Sequence, residues 1–482
     1  MRNITKILLT LMLGLMILFS SVACNTDSSA PESETDVEEK KAPESDDTVY
    51  GDSEGSYLEK VGSVSTTASL EKAKSGLIYK SGDKYGILTH DGKHDTGAKY
   101  YSCKAENGDE YFVVSTFDLK NVTEDNLDDV NSSGVVDAYG KTILPNEYAV
   151  LNVLNERYIE AIKVTKLAES EDDYLVYFYA DRFPHLLGAR DGDILFEGEW
   201  YIYDVEKGKM IDGLTGTEPE NIYAYGNYLK LGYNTYDCEG NVVSDLNFID
   251  AAGRYYTKND DEVNVYDIND NLLFKVKADD GKQYSVRDYF DGYFVVSSNE
   301  SGKNYEFVLV DEHGDEVSAI FNSGINKVFG GKYIKTSDNV LYDFEGNKIS
   351  DAKIVYEDEL FGRGVYVEKA DGTVCIIDYD GNVIYEKNSS DVTVSSDFIA
   401  EKKVDGENMR YNFADEEFNI KGSRVAPWLV YSVDESNNYS LIDTFTGKAI
   451  LEGYKSYSYS SFSKLIYAKT NSGYDIYKIN AQ

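Results

Sequence analysis

Four histidines, four cysteines and two tryptophans in 482 residues leave few places for chemistry. His90 and His94 are four apart, which on a helix would set both imidazoles on one face, but an Asp91-Gly92 turn separates them. His185 falls in an irregular stretch, 181–188, and His313 inside an Asp-Glu-His-Gly turn. Ser69 and Lys72 have the spacing by which a lysine can activate a serine, yet no Ser-x-Asn or Lys-Thr-Gly partner set accompanies them. Gly51, Ser53 and Gly55 spell G-x-S-x-G without the apolar strand and following helix that a nucleophile elbow requires. Acidic clusters raise a calcium hypothesis: Asp125, Asp128 and Asp129; Glu171 to Asp173; and Asp378-Tyr379-Asp380-Gly381-Asn382. Calcium wants several oxygens converging on a tight glycine-containing loop, and Asp378 and Asp380 come nearest to that. The loop lacks a further acid downstream, so a solvated hairpin turn is the plainer account, and no other cofactor is implied. Aromatic side chains are the remaining resource, with 42 tyrosines in the chain. Tyr223, Tyr225, Tyr228, Tyr233 and Tyr236 crowd one stretch, and Trp200, Tyr225, Tyr233 and Trp428 are the candidate ligand contacts, since such rings can pack while keeping a polar edge wet.

The elements that would position these residues follow one grammar. A β-like run ends in Asp, two or three residues pass, a Gly or Asn follows, and a second β-like run begins. Ten instances carry turn marks at Gly92, Gly140, Gly208, Gly240, Asn271, Gly314, Gly346, Gly381, Glu416 and Gly447. The Asp can accept hydrogen bonds from the turn amides, and the Gly supplies the left-handed backbone that closes a hairpin. Further strands such as GNYLKLG at 226–232 and GGKYIKTS at 330–337 precede each Asp turn. Each unit thus supplies three or four antiparallel strands with almost no helical periodicity.

No single unit can bury its own apolar face, so neighbours must stack. The expectation is an all-β chain, a β-propeller of about 7–10 repeats of 3–4 antiparallel strands over 61–482. Strand material near 61–80 and the unfinished last unit, 465–482, can complete one shared blade. An open β-repeat solenoid and two tandem propellers satisfy the same grammar.

The N-terminus reads as an address. Arg2 and Lys6 precede a thirteen-residue apolar run, Ile7 to Phe19, and Ser21-Val22-Ala23-Cys24 follows. The run is short for a membrane span and suits a secretion signal. This segment resembles a bacterial lipoprotein signal, although Ser21 stands where Leu is usual. The resemblance implies that 1–23 is removed, that Cys24 is lipidated (palmitate among its acyl chains), and that the mature chain sits on the extracytoplasmic face of the bacterial cell membrane. Residues 24–60 then form a disordered acidic tether, for residues 25–60 carry 12 acidic and 3 basic side chains. Within the repeats, GDKYGILTHDGK at 82–93 resembles the unit of WG-repeat proteins, with Tyr85 in the place of Trp and Gly86 matching. That likeness implies a binding scaffold and no reaction.

Charge narrows the partners. With 86 acidic against 47 basic residues the net charge is −39, which disfavours nucleic acid, because a phosphate backbone calls for Lys and Arg. Three cysteines besides Cys24 (Cys103, Cys238 and Cys375) argue against a disulfide-dependent fold. The reading that results is an extracytoplasmic, lipid-anchored binding or scaffold protein of the bacterial envelope, with no catalytic activity evident, whose partner is a protein, peptide or glycan. The alternative is a propeller-type, glycan-active hydrolase using paired carboxylates.

Overall fold

The computed structural model describes residues 57–480, apart from 67, 107–109, 122, 124–125, 169–175, 179–183, 186–193, 217–221, 260–261, 278–280, 388–391, 435–436 and 438. Cys24, the signal, most of the tether, the Gly51–Gly55 motif, Asp125 and Glu171 to Asp173 lie outside the described residues.

The chain is a β-propeller of eleven small antiparallel sheets. Blades 1 to 10 follow chain order: 70–88, 102–148, 150–216, 222–243, 247–277, 283–311, 325–351, 354–387, 392–421 and 423–454. Blade 11 is shared by the two ends of the fold. Its strands Ser456–Ser460, Leu465–Lys469 and Tyr474–Ile479 are completed by Leu58–Val64, which pairs with the last of them from Leu58↔Ile479 to Val64↔Tyr474. The closing strand begins at Leu58, inside the span read as tether. Eleven exceeds the expected 7–10 because the shared blade has no Asp turn of its own to count. Among the described residues, helix is confined to a 3-10 turn at Leu119–Asn121 and one α-turn at Leu127–Val130.

The two wide gaps between turn marks early in the chain have structural causes. One holds the helical turns of blade 2. The other holds an extra hairpin on blade 3, Val176–Phe178 with Pro184–His185, which lengthens that sheet to six strands.

The repeated phrase does the work its residues suggest. Asp378 Oδ1 accepts the amides of Asp380 (2.9 Å) and Asn382 (2.8 Å), while Oδ2 accepts Asn382 Nδ2 (3.0 Å). Asp237 and Asp267 repeat the pattern with Asn241 and Asn271. The residue that takes the left-handed conformation in these turns is Gly381 (φ 88°) or Gly240 (φ 85°), but in blade 5 it is Asp270 (φ 64°), one residue before the expected Asn271. Asp and Asn tolerate that region through local hydrogen bonds, which is why blade 5 dispenses with Gly.

Successive blades pack face to face through buried aliphatic and aromatic side chains. Val64, Leu77, Leu465 and Ile476 join blade 11 to blade 1, so the stack returns on itself, which an open solenoid would not do. The joint between blades 4 and 5 is different in kind. Among the described residues no aliphatic cluster spans it. Tyr225 stacks on Phe248 (centroids 4.4 Å apart, planes at 6°), and Tyr228 meets Tyr255 edge-on at 5.6 Å.

Candidate functional site

The first strand of blade 4, Ile222–Tyr225, places alternate side chains on opposite faces. Ile222 and Ala224 pack toward the core shared with blade 3, which leaves Tyr223 and Tyr225 on the other side. The turn that follows must pass very close to blade 5. Gly226 has φ 53°, and a Cβ there would stand 2.3 Å from the Ala252 carbonyl oxygen; one on Gly253 would stand 2.8 Å from the Tyr225 carbonyl oxygen. Two glycines therefore let the first turns of blades 4 and 5 touch backbone to backbone.

Beside this contact lies a cavity of about 810 Å³, lined by residues 154–157 of blade 3, 222–227 of blade 4, and Ala251, Ala252, Ile268 and Asn269 of blade 5. Its rings are Tyr223, which is 53% exposed, and Tyr225, and Ile268 is prominent among its apolar groups. Its strongest polar group is already engaged. Arg157 pairs with the fully buried Asp204 (3.0 Å) and with Glu206 (2.8 Å), and its Nη1 donates to Asn227 Oδ1 (2.7 Å). Asn155 Nδ2 donates to the Gly226 carbonyl (3.0 Å), and Tyr158 Oη to that of Asn227 (2.5 Å). The floor is thus preorganised, and what the cavity offers to an incoming molecule is ring faces, amide edges and the exposed Glu156 carboxylate.

A second cavity, of about 600 Å³, opens between blades 4, 5 and 6. Tyr225 and Ala251 line both spaces; Lys230, Thr235, Asn247, Phe248, Asp250, Tyr256 and Arg287 complete the polar and aromatic part of the second.

Of the residues singled out from sequence, Tyr225 stands at the junction of these cavities. Tyr233 projects fully into solvent from a hairpin turn of the same blade. Both indoles lie elsewhere and are buried, each donating to a buried carboxylate: Trp200 Nε1 to Glu160 (2.7 Å) and Trp428 Nε1 to Asp358 (2.7 Å). Asp378 spends its carboxylate on its own turn, and Asp380 is exposed. No group of three or more His, Cys, Asp or Glu side chains converges among the described residues.

The histidines of the first turn diverge, His90 toward Tyr467 of blade 11 and His94 onto Tyr139 of blade 2. Lys72 does not serve Ser69. It donates to Ser458 Oγ (2.6 Å) with its ammonium over the Tyr467 ring, and burial holds its pKa below the usual lysine range. Burial also lifts the carboxyls of Glu357 and Asp288, and neither lines the two cavities. Sequence reasoning missed Arg157, Lys230 and Arg287. Arg157 and Lys230 sit in ordinary polar positions of a turn and a strand, the bulge at Arg287 has no signature in the sequence, and only folding brings their blades together around Tyr225.

No family model matches the chain, and no curated protein matches it. Among solved structures it is similar to a eukaryotic initiation factor (11% identity over 85% of this chain and 100% of that one, TM-score 0.30). It is also similar to BamB from Moraxella catarrhalis (10% identity, 88% and 98%, TM-score 0.21) and to a protein of unknown function from Bacteroides caccae (12% identity, 48% and 91%, TM-score 0.16). At these scores the likenesses carry no argument. The propeller assignment rests on the strand order of the eleven sheets and on the pairing that closes them.

Proposed function

We propose that this chain is a lipid-anchored, extracytoplasmic binding protein of the bacterial envelope, which takes a protein, peptide or glycan at the cleft around Tyr225. The address comes from the sequence: a signal over 1–23, Cys24 as the lipidated residue, and an acidic tether between it and the propeller. The described residues contain no helix long and apolar enough to cross a membrane. One observation carries the binding reading. The 810 Å³ cleft is walled by Tyr223, Tyr225 and Ile268, with its arginine already paired and Glu156 at its edge, a composition suited to recognition.

The test is a panel of envelope glycans and peptides presented to the full-length chain and to Tyr225→Ala. Retention of one defined component, weakened about tenfold by loss of this ring, is the expected result. Turnover of a glycan instead of retention would favour the paired-carboxylate hydrolase. The anchor is checked separately: Cys24→Ser should move the protein from the membrane to the soluble fraction.

A further inference from the structure

Among the described residues of this acidic protein, arginine is almost wholly committed to carboxylates. Of the six arginines among the described residues, Arg157, Arg254, Arg363, Arg410 and Arg424 each form a salt bridge. Arg287 does not. Its Nε donates to Ser297 Oγ (3.1 Å), and a register irregularity between Val286 and Asp288 in the pairing of its strand marks a bulge at this residue. Bulges re-aim a side chain out of the regular alternation, and Arg287 lines the 600 Å³ cavity between blades 4, 5 and 6. Lys230 reaches the same cavity from blade 4, and it too has no ion-pair partner among the described residues. The one carboxylate in the lining, Asp250, is held by Arg254 at 2.8 Å. Arg287 feels the neighbouring Asp288 carboxylate and lies 5.6 Å from the Tyr305 ring centre, but among the described residues neither it nor Lys230 forms a salt bridge, so two cations share one concave space in a chain of net charge −39.

We infer that this cavity binds the carboxylates of an acidic sugar chain, with Arg287 and Lys230 as the anion contacts. Guanidinium and ammonium groups supply the charge-assisted bonds that a uronate carboxylate needs. Tyr225, Phe248 and Tyr256 present ring surface for the C–H faces of the sugars, and Asn247 and Thr235 offer donors and acceptors for hydroxyls. Tyr225 and Ala251 line both cavities, so neighbouring sugars of one chain can occupy the two spaces in turn. This rests on the binding role proposed above and names its ligand class.

The experiment is calorimetric titration of the full-length chain with tetragalacturonate, with its methyl ester, and with sodium sulfate. The acidic tetramer should bind, and its affinity should fall as salt rises. The neutral ester should bind about tenfold or more weakly, the size of one lost charge-assisted bond. Arg287→Gln should weaken the tetramer by a similar factor, while Arg287→Lys retains most of the affinity and shows that the fold has survived. Equal binding of acid and ester, or an unchanged affinity in Arg287→Gln, would overturn the inference and leave the broader binding role standing. Binding of sulfate alone would overturn the sugar assignment.

Discussion

An aspartate at the end of a strand can satisfy turn amides that would otherwise face only water, and this chain uses the device blade after blade. The consequence for acidity has a definite sign. The carboxyls of Asp267, Asp311 and Asp378 titrate below the usual aspartate range. At Asp267 and Asp378 burial opposes the charge, but the following Asn side chain and the turn amides outweigh it. At Asp311 the Asp315 amide leads. Asp91 is held down to about 2, chiefly by the Thr89 hydroxyl. Folded values below unfolded ones contribute stability that is present above about pH 4 and is lost as pH falls through the folded pKa values. Urea midpoints measured from pH 6 to pH 2 should therefore decline only below about pH 4. In the same melts at pH 7, Asp378→Ala should cost about 1 kcal/mol, as a lost cap does, with Asp378→Asn keeping part of the bond. This device was legible in the sequence because all its parts lie within five residues.

Contacts between elements were not legible, for the opposite reason. Arg363, in the loop 358–364 of blade 8, grips Asp443 of blade 10 with both terminal nitrogens at 2.8 Å. Asp443 is fully buried and also accepts the Tyr57 hydroxyl (2.9 Å), while the guanidinium lies 4.1 Å from the Phe361 ring centre and 4.6 Å from that of Phe445. The partners stand eighty residues apart, and neither position differs in type from the exposed charges around it. The roles of the two indoles were hidden for the same reason. A rare aromatic suggests a ligand, and only the fold reveals that each is used to satisfy a buried carboxylate. Removing the guanidinium strands that carboxylate, so Arg363→Ala should destabilise by about 3–5 kcal/mol in urea unfolding. Arg363→Lys, with a point charge in place of the fork, should recover part of the loss.

Across the whole molecule, the expectation that both chain ends would share a blade anticipated the closure, although strand material assigned to 61–80 divides between two blades. Leu58–Val64 completes blade 11, and residues 70–81 already belong to blade 1. Hydrophobic alternation shows that a segment is a strand but cannot name its partner, and this is why the blade count needed the structure. A chain lacking residues 1–64 would leave Tyr474–Ile479 as an open edge. It should melt about 5 °C or more below the full chain by calorimetry and self-associate in sedimentation, as unpaired edges do. The same strand also sets how the fold meets mechanical load. Any tension on the N-terminal segment enters at the Leu58–Ile479 rung, the end of the ladder, and not at its middle. A pull across the sheet opens those rungs singly and yields at low force, whereas a pull along the strand must shear all of them together. The direction in which the protein is tugged would then decide whether its ring stays shut.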